Sequence, residues 1–287
     1  MEVFEGVSFV RLLSRARAGR CVAADVDGGN VCVSRQRRTY NAVWAVEPRA
    51  LPDGSPCVLL RAAYGRYLVA TDDQAEIGPA DGVTVLQVDL INAPPPPGFL
   101  WHAIRRRGGF LLRSVSGYYL RANGKYCHWR RFVTATPDSG SDMLLWDIQP
   151  VPPATRRPTF LHPTRELKHR GRPPLSMAEM TRTLRVVRAG ADGSIDEDAW
   201  STMIVHTKKR EQVRVMITIK NMGRGPDVPG QKIPVDNTTA CIRGGRYAQL
   251  SPMVLDLHRG TEQVDIVILT RGSQADNELK YPDLEAP

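Results

Sequence analysis

"GYYLRANGKY", residues 117–126, decides the reading of the fold, because the chain writes nearly the same phrase twice before it: "GRYLVATDDQ" from Gly65 and "GRCVAADVDG" from Gly19. Each phrase follows an apolar–polar alternation: "FVRLLS" (9–14), "CVLLRA" (57–62) and "FLLRSV" (110–115). Each then runs on to a tryptophan in a second alternating stretch: "AVWAVE" at Trp44, "FLWHAI" at Trp101 and "LLWDIQ" at Trp146. Alternation with period two is the signature of strands, and self-similarity at a fixed period is the signature of a repetitive architecture. The count of three is what discriminates. Propellers need at least four blades, whereas three units of about 45–50 residues, each with several short strands, suit a β-trefoil: a six-stranded barrel closed by three hairpins.

This reading makes particular demands. Gly65 and Gly117 belong in tight turns that need positive φ, which glycine reaches without a Cβ clash. Val22, Leu68 and Leu120 point into a shared core. Trp44, Trp101 and Trp146 fill equivalent places around it. The repeated phrases are therefore mostly fold and not site.

The pattern L-x-S/A-x-x-G-x-Y-L-x-A, repeated in this way, resembles the fascin-like, actin-crosslinking β-trefoil. The opening "MEVFEGVSFVRLLSRARAGRCVAAD" is more similar still to a plant family of unknown function that begins with such a trefoil. The resemblance covers residues 1–150 and continues at "RTLRVVRAGADGSIDEDAW" (182–200) and "CIRGGRYAQLSPMVLDLHRGTEQVDIVIL" (241–269). It implies a fascin-like trefoil and, as a partner, actin. The chain departs from the pattern at Cys21, where an aromatic residue is expected.

Residues 150–179 are rich in proline and arginine and lack apolar periodicity, so 151–180 reads as a basic, flexible or semi-rigid linker. After it, "TLRVVRA" and "DAWSTMIVHT" read as a strand pair around the turn "GADGSIDED", and "TACIRGG", "MVLDLH" and "VDIVILT" as further strands. The stretch "REQVRVMITIKNMG" (210–223) is ambiguous: the resemblance implies a helix, yet its β-branched residues favour strand. The expected fold class is thus mainly β, a trefoil at 1–150 followed by a small α+β, ubiquitin-like domain at 181–270. A polar, frayed tail is expected at 271–287.

Composition bounds the function. An apolar content of 42% supports real cores, and no run of 18 apolar residues is present to span a membrane. The five cysteines are scattered without a CxxC pair. With no secretory leader in "MEVFEGVSFVRLLSRARAGR", the expectation is reduced thiols in the cytoplasm, or alternatively the nucleus. The net charge of +9 is concentrated in residues 1–180, and a basic surface favours polyanionic partners.

An enzyme is not expected, nor is a cofactor or metal. The six histidines are dispersed, and no nucleophile elbow, Walker loop or zinc spacing occurs. "DGSIDED" (192–198) lacks the regular oxygen spacing of a calcium loop and has Met203 where the bidentate Glu would fall, so it reads as an acidic turn. The ricin-type Gln-x-Trp signature is missing, because Ala42, Phe99 and Leu144 stand two residues before the tryptophans. Asp72, Asp73 and Asn123 leave open another kind of trefoil carbohydrate site, although they are ordinary turn residues.

Two binding constellations remain. For a protein partner, actin included, the candidates are Arg105, Arg106 and Arg107, with Arg130 and Arg131 beside Trp129; arginine with an aromatic is a common interface mixture. For nucleic acid, "KHRGRPP" contains Arg170, Gly171, Arg172 and Pro173, which resemble an AT-hook core whose arginines would lie along an A·T minor groove. The primary reading is a non-enzymatic protein-binding module. The alternatives are a nuclear, nucleic-acid-associated protein using the linker, and a carbohydrate-binding trefoil.

Overall fold

The computed structural model describes residues 1–76, 81–106, 108–124, 130–158, 180–207, 237–255, 257–258 and 262–286. The trefoil is built from twelve strands, four to a lobe. The first lobe holds β1 (Phe9–Ser14), β2 (Cys21–Ala24), β3 (Val31–Ser34) and β4 (Trp44–Ala50). The second holds β5 (Pro56–Arg61), β6 (Tyr67–Gln74), β7 (Val83–Val88) and β8 (Trp101–Arg106). The third holds β9 (Gly109–Ser114), β10 (Tyr119–Ala122), β11 (Val133–Thr136) and β12 (Trp146–Val151). Strands β1, β4, β5, β8, β9 and β12 pair in a closed antiparallel ring, β12 returning to β1. The hairpins β2–β3, β6–β7 and β10–β11 cap one end of this ring.

The threefold relation extends to single hydrogen bonds. The indole Nε1 of Trp44 donates to the Val22 carbonyl at 3.2 Å, that of Trp101 to Leu68 at 2.9 Å, and that of Trp146 to Leu120 at 3.0 Å. All six of these residues are buried in one cluster. A buried indole needs an acceptor, and the barrel supplies the same one in each lobe. The turns between first and second strands also correspond: Ser14 N bonds to Arg20 O, Ala62 N to Arg66 O, and Ser114 N to Tyr118 O. Gly19, Gly65 and Gly117 sit there with φ of 77°, 79° and 100°.

The second domain is a five-stranded sheet of order β14-β13-β17-β15-β16. Its strands are β13 (Met180–Arg188), β14 (Ser201–Thr207), β15 (Thr238–Arg243), β16 (Ser251–Pro252) and β17 (Val264–Thr270). The central pair, β13 and β17, is parallel, and the flanking pairs are antiparallel. The run "VDIVILT" is continuously apolar from Ile266 to Leu269 because both faces of β17 are covered there. Ile266 and Ile268 pack with Leu184 and Ile242, while Val267 and Leu269 pack with Val187 and Cys241.

Three expectations need correction or limitation. The described residues of "MVLDLH" (253–258) form no regular strand: β16 is Ser251–Pro252, Met253 N still bonds to Ala240 O at 2.9 Å, and the chain then turns Val254 and Leu255 into the trefoil's core cluster. The tail is not frayed. It forms a short helix α1 (Gln274–Glu278), then crosses back to the trefoil, where Pro282 bridges to Pro153 and Tyr281 is buried. Burial would raise the carboxyl pKa of Asp276, but hydrogen bonds from Thr239, the Gly272 amide and Arg157 outweigh it and hold the group below the usual range. Arg157 donates to both Asp276 carboxylate oxygens, at 2.7 and 2.8 Å. So residues 151–158, assigned to the linker, are packed. The remainder of the linker to 179 and the ambiguous stretch 210–223 lie outside the described residues.

The two domains share side chains and backbone. Leu90 N donates to Gly244 O at 2.7 Å, and Tyr247 N to Leu90 O at 3.1 Å. Glu47, only 3% exposed, accepts from Arg61 and Tyr67; Arg61 reaches Ser251 across the boundary, and Gln249 N donates to the Tyr67 hydroxyl. Gly244 faces Gly65 so closely that any Cβ would collide with the Gly65 carbonyl. Gly244→Ala is therefore expected to cost about 1–3 kcal/mol by overpacking, read as a lower urea midpoint. An unchanged midpoint would show that the domains do not meet there.

Candidate functional site

One group of arginines converges where the first lobe meets the third. Two short loops supply most of them. The β1–β2 connection, "SRARAGR" (14–20), places Arg15, Arg17 and Arg20; the loop after β3, "SRQRRT" (34–39), places Arg35, Arg37 and Arg38. The third lobe adds Arg130 and Arg131 just before β11.

The convergence follows from the barrel. Closing β12 onto β1 brings the lobes side by side, and Val33 N bonds to Arg131 O at 2.9 Å. Arg17 then lies along Gly124 and donates Nη1 to the Arg130 carbonyl at 3.1 Å. The second loop is drawn in beneath: Arg11 on β1 donates Nε to Arg37 O at 3.1 Å.

The electrostatics are those of neighbouring guanidiniums held close together. Burial, and then the neighbouring guanidiniums of Arg17, Arg35, Arg130 and Arg131, hold Arg20 below the ordinary arginine range. At the margins Asp147 pairs with Arg15 at 3.6 Å and Glu285 with Arg38 at 3.4 Å. Arg35 and Arg130 are exposed. Like charges held together at a surface repel one another and relax when an anion arrives.

Of the residues singled out from sequence, Arg130 and Arg131 belong to this face. Arg105 and Arg106 are otherwise engaged. Arg105 pairs with Glu2 and lies over the Phe110 ring at 5.1 Å, and Arg106 donates to Ser139 O at 2.7 Å. Arg107, Trp129, Arg170, Gly171, Arg172 and Pro173 lie outside the described residues. Asn123 is buried and bonded to Thr134, while Asp72 and Asp73 are exposed on β6. Sequence reasoning favoured runs of adjacent arginines and so passed over Arg17, Arg20, Arg35 and Arg37. Their available signal was positional: arginine-dense loops on either side of the β2–β3 hairpin of one lobe.

Other chemistry is sparse. Burial pushes the thiol of Cys21 to about 11 and that of Cys241 to about 12, too high for a ready thiolate. No group of three His, Cys, Asp or Glu able to hold a metal occurs among the described residues. None of their helices is long and apolar enough to cross a membrane. Asp192 caps its own turn by accepting from the amide and hydroxyl of Ser194. A cavity of about 410 Å³ opens between the domains, and among its polar groups Glu47 is joined to Arg61 and Lys280 to Ser8.

Comparison with known proteins agrees with this architecture. Residues 1–146 match a β-trefoil domain of unknown function (DUF569), and residues 180–269 match a DUF569 associated ubiquitin-like domain. No curated protein matches the chain. Similar solved structures include the designed threefold-symmetric protein ThreeFoil, at 21% identity and TM-score 0.39, covering 49% of this chain and 97% of that one. The Haemophilus ducreyi cytolethal distending toxin is 14% identical with TM-score 0.40, covering 53% of this chain and 89% of that one. SeviL bound to asialo-GM1 saccharide is 12% identical with TM-score 0.36, covering 50% and 96%. At these values they carry no argument about function.

Proposed function

Starting from a chain that belongs to the DUF569 family of β-trefoil domains of unknown function, with its associated ubiquitin-like domain, we propose that the protein is a non-enzymatic binding module whose arginine face holds an acidic protein partner. The observation that carries this is the convergence of Arg17, Arg35, Arg130 and Arg131 around Arg20, with Arg35 and Arg130 exposed. Arginine is suited to the task because its planar fork matches carboxylates in pairs and is weakly hydrated. Carbohydrate binding is less well supported: Trp44, Trp101 and Trp146 are 0% exposed, so their rings cannot stack on a sugar. Actin filaments are the specific partner suggested by the resemblance of the trefoil to fascin.

The test uses the full chain and a fluorescein-labelled decaglutamate peptide at low salt, read by anisotropy. Binding is expected to weaken about tenfold or more when Arg20, Arg35 and Arg130 become alanine, and to fall with added salt. Equal binding by the triple variant overturns the assignment of the face. For actin, the chain should pellet with filaments and the triple variant should not. Absence of pelleting at low salt removes actin from the reading.

A further inference from the structure

One end of the arginine face already carries a peptide, and it is the chain's own. After Tyr281 the backbone runs along residues 152–154, with Ala154 N bonded to Tyr281 O at 2.7 Å and Asp283 N to Pro152 O at 2.9 Å. It then passes over Arg11. That guanidinium donates Nη2 to Leu284 O at 3.0 Å and Nη1 to Ala286 O at 3.1 Å. Leu284 and Glu285 form a turn, with the Glu285 amide donating to the Asp283 carboxylate at 3.0 Å, and this presents the carbonyls on either side of Glu285 to a single planar fork. Between them Glu285 turns to Arg38; burial lowers the pKa of Arg11, and the charge of Asp283 offsets part of that. Arg37, whose carbonyl accepts from Arg11, joins this end to the rest of the face: a Cβ on Gly19, next to Arg20, would stand 3.5 Å from Arg37 Nη2.

We propose that the face takes an acidic peptide segment of a partner, and that residues 283–286 of this chain occupy its Arg11–Arg38 end as a built-in competitor. The proposal rests on the reading of the arginine face as the binding surface and names its occupant. The occupant is a peptide, not a nucleic acid, because Arg11 reads two main-chain carbonyls of an acidic turn and Arg38 reads the carboxylate between them. The segment is held unevenly. Tyr281 and Leu284 pack against the trefoil core, so the strap stays attached. The Arg38–Glu285 pair has side chains 66% and 82% exposed and is readily exchanged. A longer acidic segment could then replace it at Arg38 and continue across Arg35, Arg20 and Arg130.

The test compares the full chain with Asp283→Asn/Glu285→Gln and with Glu285→Lys, each first shown to melt as the wild type does, using labelled decaglutamate and, in a parallel arm, polyphosphate. Affinity for decaglutamate is expected to rise about threefold in the neutral variant and further in the lysine variant, with a smaller change for polyphosphate. If the wild type fails to bind decaglutamate, the reading of the face fails. If it binds and neither tail variant changes the affinity, the competitor is overturned while the face stands. If polyphosphate gains as much as decaglutamate, the face reads charge alone and the peptide assignment is overturned.

Discussion

Trp101→Ala is expected to cost about 3–5 kcal/mol, read as a loss of unfolding free energy in urea. The side chain is 0% exposed and lies in the cluster that also holds Trp44 and Trp146. Its removal opens a large cavity in a closed barrel whose ring of paired strands limits collapse. It also leaves the Leu68 carbonyl without the indole donor that meets it at 2.9 Å. The threefold relation adds a second expectation: Trp44→Ala and Trp146→Ala should cost similar amounts, because each indole meets the equivalent carbonyl. A cost below about 1 kcal/mol at any of the three would mean that the lobe concerned does not pack as described.

Acid is expected to loosen the molecule through His258. This side chain is 2% exposed and stands edge-on to Tyr64, with ring centroids 5.8 Å apart, against Gly28 of the trefoil. Burial, and then the charges of Arg66 and Arg182, push it down from 6.5 to about 3. The folded protein therefore keeps His258 neutral over a range in which the unfolded chain protonates it. Stability is complete above about pH 6.5 and falls as the pH drops towards 3, by up to about 1.4 kcal/mol per unit. Between pH 7.5 and pH 4.5 the loss should reach about 2–3 kcal/mol, and His258→Phe should remove most of that dependence. A wild-type urea midpoint that is flat over this interval, or an equal slope in the variant, would contradict the account.

What the sequence revealed and what it concealed have physical causes. The barrel was legible because each lobe repeats a local rule: alternation, a glycine turn, then an indole that must find a carbonyl. Val22, Leu68 and Leu120 could be placed in the core before any coordinates, and the strand pair of the second domain could be placed from its own turn. The tail could not, because "SQADNELKYPDLEAP" is polar and its order comes from partners far away in sequence, Arg157 for Asp276 and Pro152 for Asp283. "MVLDLH" read as a strand because Val254 and Leu255 are apolar, and nothing local indicates that they are spent on the neighbouring domain. The arginine face was half visible. Arg130 and Arg131 are adjacent in sequence, whereas Arg17, Arg20 and Arg35 meet them only because β12 closes onto β1. Arg105 and Arg106 show the converse, a local run whose charges are taken up by Glu2 and Ser139.

The most direct test of the central claim, that the arginine face is where a partner binds, is a hydrogen-exchange footprint of the full chain with and without saturating decaglutamate. The account predicts slower exchange in residues 14–20, 34–39 and 130–131, and none of comparable size at 101–106. Protection centred on 101–106 or on the ubiquitin-like sheet, with the loops of the first lobe unchanged, would contradict it.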